Sequence, residues 1–511
     1  MIDCLFVCRA NAARALGTLK EDRAHSPALV AMGRANAAAS AAYPANQELL
    51  KARASRQTFI TAVFVALVVL TLAGSKLADV TGFESTRPTT HYAAVIDAGS
   101  TGTRLHVFTF ARGRFGGEET LREEAFHAVE PGLKSYGVDA DAAAASVDEL
   151  ISKARAIVPR SERANTPFSV RATAGLRLMP EGREAADAIM TAVRDRIASA
   201  GFHARSESFV SVMDGADEGA HGWVSVNYLL GNLGGRPEKT VSVVDLGGGS
   251  TQIAYAVGSR AAKEAPDGYV RTIQATSSKY STYVHSFKGY GLVAVRAKIF
   301  NEGKNEDGSH PCLPAGFADS CEKDCYGLEP GETYAALGSG DGSDFVKCLA
   351  ATTKALDVGS ASKSCAAKPC SFAGAWSTPR KTSLYVMSYI VERAVQSGAV
   401  PAPKDATKIL KVSPADFKRT ASRACATPAA ELEDAFPLAA RDGVDVHYLC
   451  LDLTYIYALL TTGYGVTDDE TLRMLDKIMY KRQAVEASWA LGDGIAVLGA
   501  VRESRESSYR A

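Results

Sequence analysis

One local pattern occurs twice in this chain, and that repetition restricts the fold more than any other feature. Apolar YAAVID (Tyr92–Asp97) runs into a glycine loop and leaves it as alternating RLHVFTF (Arg104–Phe110). VSVVD (Val241–Asp245) runs into a second glycine loop and leaves it as IAYAV (Ile253–Val257). Each copy reads as strand, special loop, strand, which is a hairpin. The two aspartates stand 148 positions apart, so the chain repeats itself at the spacing of a domain. Its 511 residues allow two or three such lobes.

Between the copies, Ala185, Ile189, Val193 and Ile197 recur at helical spacing between Pro180 and Gly201. SFVSVM (Ser208–Met213) reads as a strand and DEGAHGWVSVNYLL as the helix after it. Strands alternating with helices predict an α/β architecture with largely parallel sheets. LGSGDGSD (Leu337–Asp344) and the cysteine-bearing stretch from Ala361 to Ser371 read as loops or inserts.

From Gln57 to Ser75 there is no charged residue, and Thr58–Gly74 is long enough to cross a bilayer core as a helix. Residues 57–77 are therefore expected to form one transmembrane helix. The preceding tail, residues 1–56, holds eight Lys or Arg against four Asp or Glu, and Lys51, Arg53 and Arg56 flank the span. The positive-inside bias puts this tail in the cytoplasm, residues 78–90 in a short stem, and everything beyond in the lumen or outside the cell. Cys312, Cys321, Cys325, Cys348, Cys365, Cys370, Cys425 and Cys450 then lie in an oxidising compartment, where disulfides are the default and spacing leaves their connectivity open. Zinc is the competing explanation for Cys321-x-x-x-Cys325, but no second matched ligand pair accompanies it. Formal net charge is zero, which leaves no basic footprint for nucleic acid.

A phosphate chain needs backbone N–H groups and hydroxyls wrapped closely around it, and glycine, serine and threonine supply both. Ser100, Thr101, Gly102 and Thr103 offer this in the first loop, and Gly247, Gly248, Gly249, Ser250, Thr251 and Gln252 in the second. Asp97 and Asp245, each closing an apolar strand, suit a hard divalent cation, Ca²⁺ or Mg²⁺, which prefers oxygen ligands. Either aspartate could instead cap the turn after its strand.

AAVIDAGSTGTRLHVFTF, VRATAGLRLMP, SVMDGADEGAHGWVSVNYLLG, VSVVDLGGGSTQIAY and WALGDGIAV together resemble the five ordered blocks of the apyrases, the nucleoside triphosphate diphosphohydrolase family. PGLKSYG, YVHSFKGYGL and YLCLDLTYIYALL extend the likeness over roughly Tyr92 to Ala500. The resemblance implies two actin-like (RNase H-like) lobes with a nucleotide cleft, the first over 91–213 and 481–511 and the second over 214–480. It also implies metal-dependent hydrolysis of the terminal phosphate of ATP, ADP, UDP or GDP. Glu218 matches the family's general base, and as a first-turn residue of a helix its charged form is favoured by the helix dipole. By the same matching, Asp97 and Asp245 hold the metal through water. Ser250 and Gln252 position the attacking water, joined by Thr173, and Trp489 packs near the metal.

Two positions depart from the family pattern: Thr101-Gly102 stands where other members often carry Ser-His, and Asp493 lies in a normally less charged stretch. His221, one turn from Glu218, is more in keeping with packing than with catalysis. Of Tyr385, Tyr389, Tyr448, Tyr455 and Tyr457, most are expected in a core rather than against a base. A sugar kinase or other phosphotransferase of the same fold uses similar paired loops, but these are typically cytosolic. A catalytically dead nucleotide receptor is the other alternative, and retention of Glu218, both aspartates, Ser250 and Gln252 argues against it. The expected protein is a single-pass type II membrane enzyme of the Golgi or cell surface.

Overall fold

The computed structural model describes residues 63–64, 89–99, 102–112, 119–179, 181–204, 208–275, 278–323, 325–329, 331–358 and 368–510, with side chains to residue 504. The chain divides into Met1–Thr86 and Arg87–Ala511. In the first unit only Val63 and Phe64 are described; both are helical and exposed. The expected membrane span otherwise lies outside the described residues, as do the tail and most of the stem. Among the described residues no helix is long and apolar enough to cross a membrane.

Arg87–Ala511 contains two main sheets. The first has the order β3-β2-β1-β4-β5, built from β1 (Thr89–Ala98), β2 (Thr103–Arg112), β3 (Thr120–Val129), β4 (Phe168–Ala172) and β5 (Val210–Val212). Ala93 to Ile96 in β1 have no exposed surface, as expected of a central strand covered on both faces. The second sheet has seven strands, from β6 (Ser242–Leu246), β7 (Ser250–Ala256), β8 (Val270–Ala275) and β9 (Ser278–Lys288). A small ribbon, β10 (Ala318–Cys321) with β11 (Tyr334–Leu337), intervenes in the chain. β12 (Leu384–Ser388), β13 (Leu410–Val412) and β14 (Leu472–Met474) complete the seven, in the order β13-β14-β12-β6-β7-β9-β8.

The α/β expectation holds, but the sheets are mixed rather than largely parallel. β1 pairs antiparallel with β2 and parallel with β4, while β6 pairs antiparallel with β7 and parallel with β12. The reason is local: each glycine loop closes a hairpin, and a hairpin forces an antiparallel neighbour into the middle of its sheet.

Six helices bear on the argument: α1 (Ala174–Arg177), α2 (Gly182–Ser199), α3 (Gly215–Leu229), α4 (Ala294–Asn301), α5 (Tyr389–Gln396) and α6 (Ala490–Arg510). α2 buries Ile189, Val193 and Ile197, the periodic residues, while Ala185 is half-buried. α3 carries Gly215, Gly219 and Gly222 at i, i+4 and i+7. Glycine costs a helix about 1 kcal/mol per position relative to alanine, so three on one stripe need a packing reason. At Gly219 a Cβ would stand 3.1 Å from the side chains of both Gln252 and Val284, and at Gly215 it would collide with Ser286. The stripe thus lets α3 lie directly on β7 and β9, which brings its first turn to the second glycine loop.

Cys312–Cys348, Cys321–Cys325 and Cys425–Cys450 are disulfides, and Cys370 is also disulfide-bonded. Cys365 lies outside the described residues. Cys321 and Cys325 are therefore joined to each other and offer zinc no thiolates.

Candidate active site

The two glycine loops are built to the same register. Asp97 faces Arg104 across β1 and β2, and Asp245 faces Gln252 across β6 and β7. Beyond these, Ala98 pairs with Thr103 and Leu246 with Thr251, so four residues turn each loop. Carbonyls of the second loop are tied from behind: Gly247 accepts from the Leu292 N–H at 2.9 Å, and Gly248 accepts from Val293 at 3.0 Å and Ala294 at 2.9 Å. The approach is close enough that a Cβ at Gly291 would meet Gly248 and Gly249 backbone atoms at about 2.5 Å.

Glu218 lies in the first turn of α3, after the N-cap Asp214, whose carboxylate accepts from Ala216 N at 2.8 Å. Its Oε2 accepts from Arg177 Nη2 at 2.7 Å and from Gln252 Nε2 at 3.4 Å. Arg177 Nη2 also donates to Ser250 Oγ at 3.1 Å, and its Nη1 to the Met213 carbonyl at 2.6 Å. Gln252 Nε2 donates to Ser250 Oγ at 2.7 Å and to Ser286 Oγ at 3.0 Å. Glu218, Ser250 and Gln252 therefore form one hydrogen-bonded cluster, with Arg177 and Ser286 as members that the sequence reading passed over. Arg177 sits in the quoted VRATAGLRLMP block, four positions after Thr173, where a cation between two apolar residues was the available signal.

The aspartates flank this cluster. Burial pushes the Asp97 carboxyl up to about 7, offset by Arg104 and reinforced by the charge of Glu218. Burial pushes Asp245 up to about 6, with the Ser388 hydrogen bond opposing and Glu218 again reinforcing. Asp97 Oδ1 has no hydrogen-bond partner among the described residues, and its Oδ2 is 3.9 Å from Arg104 Nη1. Asp245 Oδ1 accepts from Ser388 Oγ at 2.6 Å, and Ser388 has a left-handed φ of 55° where β12 gives way to α5. A non-glycine residue in that region costs energy that its surroundings must supply.

Other expected residues divide. Thr173 caps α1 and donates its N–H to the Ala98 carbonyl at 3.3 Å, beside the first loop. Gly249 is packed so closely that a Cβ would stand 2.7 Å from Ala174 and 3.0 Å from Leu178, and would collide with the Tyr326 hydroxyl. Two residues expected to hold phosphate make other hydrogen bonds within the protein. Thr251 Oγ1 donates to the Asp245 carbonyl at 2.9 Å and meets Tyr464 Oη at 3.0 Å, and Gly247 N–H closes its own loop on the Ser250 carbonyl at 3.0 Å. Ser100 and Thr101 lie outside the described residues. Trp489 is buried against α3 near Gly222. His221 is 3.7 Å from the fully buried Asp493, which takes a hydrogen bond from Arg171 Nε at 3.0 Å. That anchoring leaves His221 a packing residue rather than a partner of Glu218. Tyr385, Tyr455 and Tyr457 are buried in core positions, whereas Tyr389 and Tyr448 are only partly covered.

A divalent cation can be tested against these groups. Two partly buried carboxylates, one with a bare buried oxygen, are what a hard cation stabilises and what a low-dielectric pocket penalises. Among the described residues no group of three or more His, Cys, Asp or Glu forms a metal cage. Asp97 and Asp245 thus fit a cation that keeps much of its water.

Comparison with known proteins agrees with this geometry. Residues 84–506 match the GDA1/CD39 (nucleoside phosphatase) family. The chain is 37% identical over 421 residues to "Probable apyrase 1" of Oryza sativa subsp. japonica, covering 80% of this chain and 82% of that one. It is 36% identical over 423 residues to "Apyrase 1" of Arabidopsis thaliana, covering 81% and 86%. Its fold is similar to a crystal structure of nucleoside triphosphate hydrolases from Neospora caninum, with a TM-score of 0.59 at 15% identity, covering 86% of this chain and 97% of that one.

Proposed function

The chain belongs to the GDA1/CD39 nucleoside phosphatase family and is a hydrolase of nucleotide phosphoanhydrides, and we propose that it removes the terminal phosphate of nucleoside tri- or diphosphates in a cleft between two actin-like lobes, with Glu218 as general base. The observation that carries this reading is the convergence of Glu218, Ser250 and Gln252 on one another beside two loops of matching register.

Backbone N–H groups of the loops and the Ser250 hydroxyl hold the terminal phosphate. Gln252 and Ser250 orient a water in line with the anhydride bond, and the Glu218 carboxylate takes its proton as the oxygen attacks phosphorus. The P–O bond to the leaving phosphate breaks with its electron pair on the departing oxygen. Arg177 Nη2 donates to both Glu218 and Ser250 and so holds the base beside the serine. Asp97 and Asp245 are the residues that would hold Ca²⁺ or Mg²⁺, and such an ion, when bound, offsets negative charge on the phosphate oxygens.

The disulfides of the described residues support an oxidising compartment, and the apolar run at 57–77 supports a type II anchor in the Golgi or cell-surface membrane.

The test is phosphate release from ATP, ADP, UDP, GDP and AMP by the full chain, with Ca²⁺, with Mg²⁺ and with chelator. Release from tri- or diphosphates but not AMP, abolished by chelator, is expected. Glu218→Gln should lower kcat by about 1000-fold or more while nucleotide still binds, because the base acts in the chemical step and the loops hold the phosphates. Full turnover in that variant would remove Glu218 from its role.

A further inference from the structure

PGLKSYG has no part in the mechanism above, yet the fold places it directly after residues that border the first glycine loop and against a tyrosine that abuts the second. β3 ends at Val129, and a single 3₁₀ turn, Leu133–Tyr136, follows. A Cβ at Gly102 would stand 3.2 Å from the Val129 carbonyl and 3.3 Å from Glu130 Cγ, so this segment borders the first loop. Leu133 is fully buried in the core shared with Leu176 and Met179, which fixes the turn that carries Lys134.

Lys134 Nζ lies 4.3 Å from the centroid of the Tyr326 ring. Tyr326 in turn abuts the second loop, its hydroxyl against the space that a Cβ of Gly249 would need. The ammonium therefore sits on the face of a ring whose hydroxyl reaches the second loop at Gly249, the residue that precedes Ser250.

Its electrostatic surroundings are unusual. Burial lowers the Lys134 pKa, and no carboxylate among the described residues opposes that effect. Lys298 makes a similar contact, 4.2 Å from the Tyr290 ring, but Glu329, Glu332 and Asp357 counter its burial. A half-buried cation with no carboxylate partner among the described residues, next to loops shaped for phosphate, has an obvious complement in the ligand.

We propose that Lys134 is a substrate-recognition residue that pairs with the terminal phosphate of the bound nucleotide and with the inorganic phosphate product. The terminal group is singled out because Gly249 adjoins Ser250, and Ser250 lies in the hydrogen-bonded cluster of Glu218. The inference rests on the reading of the loops as phosphate clamps.

The test uses the full chain with Lys134→Met, which keeps the aliphatic stem and removes the charge, and Lys134→Arg, which keeps the charge. Steady-state kinetics with ATP and ADP are measured together with inhibition by orthophosphate. Lys134→Met should lower kcat/KM about tenfold to a hundredfold for both nucleotides and raise the inhibition constant for phosphate at least about fivefold, as expected for loss of a charge-assisted contact. Lys134→Arg should recover most of both effects. Kinetics and phosphate inhibition within about twofold of wild type in Lys134→Met would overturn the assignment while leaving the clamps intact. A fall in kcat/KM with unchanged phosphate inhibition and a lowered unfolding midpoint would overturn it too, as a packing effect. A wild-type protein that releases no phosphate from any nucleotide would sink the clamp reading and this inference with it.

Discussion

The first and second glycine hairpins share a register but not an environment. In the first, the residue opposite the aspartate is Arg104, a partly exposed cation 3.9 Å from Asp97 whose guanidinium also lies over Gly99. In the second it is Gln252, a buried amide that spends its hydrogens on Ser250, Ser286 and Glu218. The first loop borders PGLKSYG, whereas the second is laced to the start of α4 by three backbone hydrogen bonds and packed under Tyr326. On the proposed function, one strand-loop-strand plan serves two purposes: the second hairpin belongs to the reaction centre, and the first grips the phosphates. What packs behind each loop adds to a difference in the loops themselves, where only Gly99 and Gly247 coincide among the four turn residues of each.

The sharpest way to break this contrast is to truncate the two opposed residues. Gln252→Ala should lower kcat about 100-fold, because it unseats Ser250 and frees Glu218 to turn, with the losses multiplying in the chemical step. Arg104→Ala should cost less than about tenfold, chiefly in KM, since a partly exposed pair near 4 Å contributes little. Equal losses in kcat would mean that both hairpins share the chemistry.

A smaller contrast comes from the glycines. Gly249→Ala drives a methyl into Ala174, Leu178 and the Tyr326 hydroxyl, and overpacking of this kind costs about 1–3 kcal/mol. Gly99→Ala meets mainly Arg104 Nη1 at 2.9 Å, the far end of a side chain that can swing away. Denaturant midpoints should fall for the first variant and stay within error for the second. A drop of similar size in both would show that the first loop is as tightly backed as the second.

The sequence carried the hairpins, the helix with Glu218 and the two aspartates because each is a local pattern: an apolar run ending in Asp, glycines at a turn, a first-turn carboxylate. It did not carry the pairing of Arg177 with Glu218, since those residues are 41 positions apart and meet only when α3 lies on the second sheet. Ser388 reaches the site from the end of a strand whose own sequence shows no functional mark, and Ser286 lies in YVHSFKGYGL, which the family likeness covers without singling out the serine. The mixed sheets were misjudged because strand and helix alternation was weighed above the hairpins already recognised. The partner of Thr251 was hidden for a related reason: a hydroxyl in a glycine loop shows no partner in the sequence until the tertiary fold supplies Tyr464.

That residue and its counterpart provide the finest test. Thr103 and Thr251 hold equivalent places at the end of their loops, and neither has exposed surface. Thr251 Oγ1 bridges the Asp245 carbonyl and the Tyr464 hydroxyl, whereas Thr103 Oγ1 has no hydrogen-bond partner among the described residues. Replacing a satisfied buried hydroxyl by a methyl strands its partners, at about 1–3 kcal/mol, but replacing an unsatisfied one removes a desolvation cost already present. Thr251→Val should therefore lower unfolding stability by about 1–2 kcal/mol, and Thr103→Val should leave it unchanged or raise it slightly. The second variant also separates two uses of the first loop. If Thr103→Val is stable but binds nucleotide several-fold more weakly, that hydroxyl is kept bare for the ligand; if binding is unchanged, the grip comes from the loop backbone alone.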